Sequence, residues 1–287
     1  MIEGRPSRTA LGVAMRRAAH QLLDRPLVFE DSVALRILGP RYGERLRADL
    51  LTRHRTRTAR LLRAFLVVRS RLAEDLLAEA VAAGVTRYVV LGAGLDTFAY
   101  RNPFPGLRVF EVDFPATQAW KREMLAQAGI AVPESLTFAP CDFARQSAAD
   151  ALAAAGVDAA QPVFCSWLGV TMYLERDAVL ATVRSLMPFI RAPGGLVFDY
   201  LVPVSTLPFT QRMLFRLFGG GVRRRVARAG EPFIADFTPT GLEAAIRSLG
   251  GRDVADYAPQ ALTDRYLGNR PDGLRIGRIG HMLLVRG

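Results

Sequence analysis

Apolar residues recur at helical spacing through residues 6–80, then give way to short buried runs that alternate with helices. Ser7 and Thr9 precede Ala10–Leu23 and offer it a hydroxyl cap. Arg57–Val81 is the most informative helix. On the helical wheel Leu61, Leu62, Phe65, Leu66, Val68, Leu72, Leu76 and Leu77 fall on one broad arc, with Arg69 near its centre. Arg63, Arg71 and Glu74 lie on the other side. Beyond residue 81, Tyr88–Leu91, Val109–Val112, Leu136–Ala139, Val163–Trp167 and Leu196–Leu201 read as strands buried on both faces. Helices over Pro115–Gln127, part of Ala148–Ala160, and Glu175–Ile190 separate most of these runs. A helix over Gly241–Leu249 precedes two candidate closing strands, Asp253–Tyr257 and Gly280–Val285.

This order predicts an α/β fold, a mostly parallel seven-stranded sheet with helices on both faces. Residues 1–80 form a helical segment contributing to a cofactor site, 81–202 the core, 203–232 a lid, and 233–287 complete the sheet. The lid reading rests on an apolar patch that includes Leu207, Phe209 and Met213, followed by Gly219–Gly221 and the basic run Arg223–Arg225.

Chemistry concentrates where the first strand ends. Gly92-Ala93-Gly94 turns the chain without bulky side chains at a strand's carboxyl end, where ligands sit in an open α/β sheet. The next strand carries Glu111 and Asp113 toward the same edge, and a carboxylate there suits a ribose diol. A dinucleotide site wants a third glycine so that a helix start can approach a pyrophosphate. Thr97 stands in that place. S-adenosylmethionine (SAM), which has no phosphate, therefore fits better than NAD. A guanidinium on a buried helix face is costly unless paired. Arg69 is thus either a structural ion pair or a fork for the α-carboxylate of such a cofactor. Asp142, after the third strand, suits an adenine amino group or caps the helix from Ala144.

Composition narrows the classes. The chain has 287 residues, half of them hydrophobic, enough for a sizeable core without staples. The net charge is +11, but Lys121 is the only lysine and the arginines are dispersed. That pattern argues against a nucleic-acid partner and leaves an acidic substrate open. Cys141, Cys165 and three scattered histidines suggest no metal site. The expectation is a cytoplasmic protein with neither a secretory leader nor a membrane span.

Taken together these residues resemble the leucine carboxyl methyltransferase family, in particular its bacterial branch of SAM-dependent O-methyltransferases. The resemblance is carried by Ser7–Ala10, Arg17–His20, Val68–Arg71, Leu91–Thr97 with Arg101, Phe110–Pro115 with Lys121, Cys141–Phe143 and Gly169–Leu174. It implies a Rossmann-like class I methyltransferase in which Arg69 holds the SAM carboxylate and Gly92 and Gly94 underlie the methionine. Asp113 would then hold the ribose, with Asp142 and Phe143 framing the adenine. Where the family commonly has Glu before Gly, this chain has Leu168, at the cofactor's methionine end. Expected activity is methyl transfer to a carboxylate or hydroxyl of a small molecule or protein terminus. Tyr173 and Tyr200 are the candidates for contacting the acceptor, and Arg101 or Arg223–Arg225 for holding an acidic one. A SAM-binding protein without catalysis and an NAD-dependent oxidoreductase are the alternatives.

Overall fold

Five apolar runs and two C-terminal segments become one sheet in a computed structural model, which describes residues 8–143, 145–214 and 233–287. Strands β1 (Arg87–Leu91), β2 (Arg108–Asp113), β3 (Leu136–Pro140), β4 (Phe164–Trp167) and β5 (Gly195–Leu201) run parallel. Strands β6 (Asp253–Tyr257) and β7 (Gly280–Arg286) are antiparallel to their neighbours, and β7 inserts between β5 and β6. The order is β3-β2-β1-β4-β5-β7-β6, so the connection reverses direction between β1 and β4. That switch point opens a crevice beyond the strands' carboxyl ends.

Helices cover both faces. On one lie α1 (Arg8–Leu23), α2 (Gly39–Asp49), α3 (Arg57–Ala82), α4 (Pro115–Gln127) and α9 (Pro259–Tyr266). On the other lie α5 (Ala148–Ala154), α6 (Arg176–Leu186) and α8 (Pro239–Ser248), while α7 (Phe209–Leu214) follows β5. Helix α3 anchors the first face, capped by the Thr56 hydroxyl, which accepts from Ala59 N. It buries Val67, Val68, Leu72 and Leu77 completely, each worth about 1.5–3 kcal/mol of transfer free energy.

The side of α3 opposite its apolar arc is partly covered. Helix α1 packs across it, and Arg63 is buried with its guanidinium forked onto Asp24 at 2.7 and 2.8 Å. Burial alone would raise the Asp24 acid, but hydrogen bonds from Arg63 and His20 outweigh it and hold it at about 2. Helix α2 falls within the expected helical segment, whereas α9 had no counterpart in the sequence reading. Gly39-Pro40 opens α2, with Pro in the first turn where its missing donor is harmless. The cap of α5 is Ser147, in a capping box with Asp150, and not Asp142.

Candidate active site

The bend after β1 is held from below by the neighbouring strand. Gly92 N and Ala93 N both donate to the Val112 carbonyl, at 2.7 and 3.2 Å, and both glycines have positive φ. Asp113, 7% exposed, then closes the bend: one carboxylate oxygen accepts from Gly94 N at 2.5 Å and the other from Phe114 N at 2.6 Å. Burial pushes this acid above its ordinary range while the two backbone donors pull it back. Each oxygen keeps a lone pair for a further donor.

Two elements close on the bend. A Cβ added to Gly94 would stand 3.0 Å from Ala10 Cβ, so α1 lies directly against it. A Cβ on Gly92 would reach 2.5 Å from Val170, in the loop after β4. The preceding Gly169, at φ 76°, sits under the guanidinium of Arg69, with Nη2 2.7 Å from where its Cβ would be. Arg69 therefore points to the same sheet edge as the glycine bend. Its Nη1 pairs with Asp199 Oδ2 at 2.7 Å, and Gly169 N donates to Asp199 Oδ1 at 2.5 Å. Asp199 is fully buried and Arg69 is 6% exposed. Among the described residues Asp199 is the guanidinium's one hydrogen-bond partner, so most of its donors remain available.

The other expected site residues are placed less uniformly. Leu168 is half-buried against the core beneath α3. Phe143 packs on the α5–α6 side of the sheet, and the Asp142 carbonyl accepts from Arg145 N and Gln146 N just beyond β3. Tyr173 ends a short 3₁₀ turn, its ring 5.6 Å from that of Phe233.

Three expectations need correction. Glu111 is not delivered to the edge: it is buried two residues inside β2 and pairs with Lys121 of α4 at 2.6 Å. Arg101 is not free for a substrate, because it forks onto Glu74 and covers the Phe29 ring at 4.8 Å. Tyr200 presents no free hydroxyl; it is 1% exposed and donates to Asp256 at 2.8 Å, and burial keeps the phenol neutral. The glycine hinge and Arg223–Arg225 lie outside the described residues.

The sequence reading also missed the clamp behind the bend. Arg17 of α1 donates to the Leu95 carbonyl at 2.9 Å, to Asp96 at 3.2 Å and to Thr97 at 3.2 Å, while the Thr97 hydroxyl donates to Asp31 at 2.7 Å. Asp31 is fully side-chain buried and had no local signal. This clamp bears on the cofactor, since Thr97 is completely buried and only the 3₁₀ turn Phe98–Tyr100 follows the bend. No helix start is available there for a pyrophosphate. What the edge does offer is spare donors on Arg69, an acid at Asp113, and the Thr9 hydroxyl, buried beside Ala10 with no partner among the described residues. Those groups fit a ligand with a carboxylate and a diol. A separate cavity of about 410 Å³, lined by residues 99–107 with Ala131, Pro133 and Ser135, opens where β2 and β3 begin, at the opposite edge. Among the described residues no cluster of metal-ligating side chains occurs, and no helix is long and apolar enough to cross a membrane.

Known proteins point the same way. YktD of Bacillus subtilis (strain 168), named for S-adenosyl-L-methionine-dependent methyl transfer, is 29% identical over 300 residues, covering 96% of this chain and 95% of YktD. A similarly named protein of Mycobacterium tuberculosis (strain ATCC 25177 / H37Ra) is 33% identical over 213 residues, covering 71% of this chain and 67% of that protein. FRAAL3718 of Frankia alni is 40% identical over 178 residues, which span 60% of each chain. The fold matches the crystal structure of a Thermobifida fusca YX protein named for methyl transfer, with a TM-score of 0.55 at 18% identity, over 99% of this chain and 96% of that one. Fold, site and relatives thus define a SAM-dependent methyltransferase of the Rossmann-like class. Residues 10–187 match the profile of the leucine carboxyl methyltransferase family, and the chain belongs to that family.

Proposed function

We propose that this enzyme transfers the methyl group of SAM to an oxygen, carboxylate or hydroxyl, of a small molecule or a peptide terminus. The observation that carries the reading is Arg69, a buried guanidinium pinned by Asp199 beside Gly169 and the glycine bend with most donors unspent. In this reading Arg69 forks onto the cofactor carboxylate, Gly92-Ala93-Gly94 supports the methionine portion, and Asp113 accepts from the ribose. Asp142 and Phe143 flank the adenine, Leu168 lies toward the methionine end, and Tyr173 borders the acceptor.

SAM supplies an electrophilic methyl on a sulfonium. The protein's share is alignment and exclusion of water. Arg69 and Asp113 fix the two ends of the donor, and α1, lying on Gly94, shields one side of it. A carboxylate acceptor requires no base, whereas a hydroxyl acceptor requires one. Two buried free thiols, Cys141 and Cys165, suit a reducing cytoplasm.

Titration calorimetry with SAM and with NAD, followed by turnover of methyl-labelled SAM against acids and phenols, tests the proposal. SAM binding and labelled esters or ethers are expected. Binding of NAD in place of SAM overturns the cofactor, and SAM binding without turnover of any oxygen acceptor overturns the reaction.

A further inference from the structure

Beyond Asp199 on β5, the sheet assembles a second polar group that the steps above leave unused. Tyr200 of β5 stands opposite His281 of β7 in the antiparallel register, and Asp256 of β6 reaches both. The Tyr200 hydroxyl donates to Asp256 Oδ1 at 2.8 Å, and His281 Nδ1 lies 3.2 and 3.0 Å from the two Asp256 oxygens. Tyr200 and His281 lie one residue from the carboxyl end of β5, and Asp256 reaches them from the level of Phe198, two residues further in. Side chains alternate along a strand. Asp199 therefore faces α3 with Arg69, Tyr200 faces the opposite side, and the two polar groups flank the tip of one strand.

The contact with Asp256 favours one tautomer of a neutral imidazole. A carboxylate that accepts at Nδ1 fixes the proton there and leaves Nε2 with its lone pair. Among the described residues Nε2 has no partner, and the imidazole is held 5.4 Å from the Tyr200 ring. Arg176, at the start of α6 and over the Phe237 ring that meets Tyr200 edge-on, pairs with Asp236 at 2.6 Å. Among the described residues Asp256 is the one charged group hydrogen-bonded to the imidazole.

Resting on the reading of methyl transfer to oxygen, we propose that His281 is the general base for a hydroxyl acceptor, with Asp256 and Tyr200 as its positioning residues. The acceptor oxygen forms its bond to the methyl carbon as the carbon–sulfur bond breaks. That electron pair stays on sulfur, and the hydroxyl proton passes to His281 Nε2. Asp256 stabilises the resulting imidazolium, and Tyr200 keeps the carboxylate oriented. The arrangement selects phenolic or enolic hydroxyls over carboxylates, which have no proton to surrender at neutral pH.

The chain has only three histidines, so an imidazole ¹⁵N spectrum, with H281Q to identify the signals, reads the tautomer without turnover. Nδ1 protonated and Nε2 free is expected. With S-adenosylhomocysteine present, saturating methyl 4-hydroxybenzoate should move the Nε2 signal and benzoate should not. H281Q should lower kcat on the phenol roughly 100- to 10,000-fold and erase the acid limb of its pH profile, with S-adenosylhomocysteine affinity unchanged. Asp256→Asn, close to the native shape, should lower kcat while KM holds. A protonated or unmoved Nε2 overturns the base, as does H281Q working at the native rate and pH profile. Turnover of benzoate alone also overturns it while leaving oxygen methylation intact; failure of the native chain to bind SAM removes both.

Discussion

Replacing Arg69 by Met, alone and together with Asp199→Asn, separates what this residue does for the fold from its proposed hold on the cofactor. The substitution leaves Asp199 fully buried, with Gly169 N as its remaining partner. Breaking one half of a buried ion pair costs about 3–5 kcal/mol, which for a chain of this size lowers Tm by roughly 5–8 °C. Losing a charge-assisted fork to a carboxylate ligand costs about 2–5 kcal/mol, or roughly 30- to several-thousand-fold in SAM affinity. A single variant confounds the two effects. R69M combined with D199N removes the uncompensated acid, so the melting temperature should recover while affinity stays low. Thermal melts with titration calorimetry on the two variants decide the matter. If the double variant binds SAM as the native protein does, Arg69 is a structural ion pair and its assignment to the cofactor is wrong.

Three further outcomes follow from buried geometry. Gly92→Ala meets both a φ of 62° and Val170 at 2.5 Å, so SAM affinity should fall, with partial recovery on adding Val170→Ala, as read by calorimetry. Lys121→Met strands Glu111 and should cost about 3–5 kcal/mol in denaturant melts, whereas K121M with E111L should be nearly neutral. Asp24 is depressed from 3.8 to about 2. Its contribution, about 2 kcal/mol, is full above pH 4 and lost as pH falls through 2; Asp24→Asn should flatten that part of the stability–pH curve.

The parallel core was legible because strands buried on both faces are written as continuous apolar runs, and the glycine bend because Gly92 and Gly94 interrupt one of them. Arg69 was legible for a related reason: a charge on an apolar helix face demands a partner. The burial of Arg63 was not legible, because the wheel reports the period of one helix and the covering helix α1 lies some forty residues upstream. Glu111 was misread as reaching the edge, although Lys121 stands ten positions on, where a helix following β2 returns over it. Tyr200, Asp256 and His281 meet only because β7 inserts between β5 and β6, a register that no local pattern in the sequence encodes.

In the proposed reading of the site, the Arg17 clamp makes the N-terminal helix a wall of the cofactor chamber and not an appendage. Building that chamber and seating the first sixteen-residue helix are one cooperative event, because the same guanidinium holds the carbonyl, acid and hydroxyl that shape the chamber's floor. Pruning or crowding that end of the chain would therefore erode ligand capture before it unravelled the sheet.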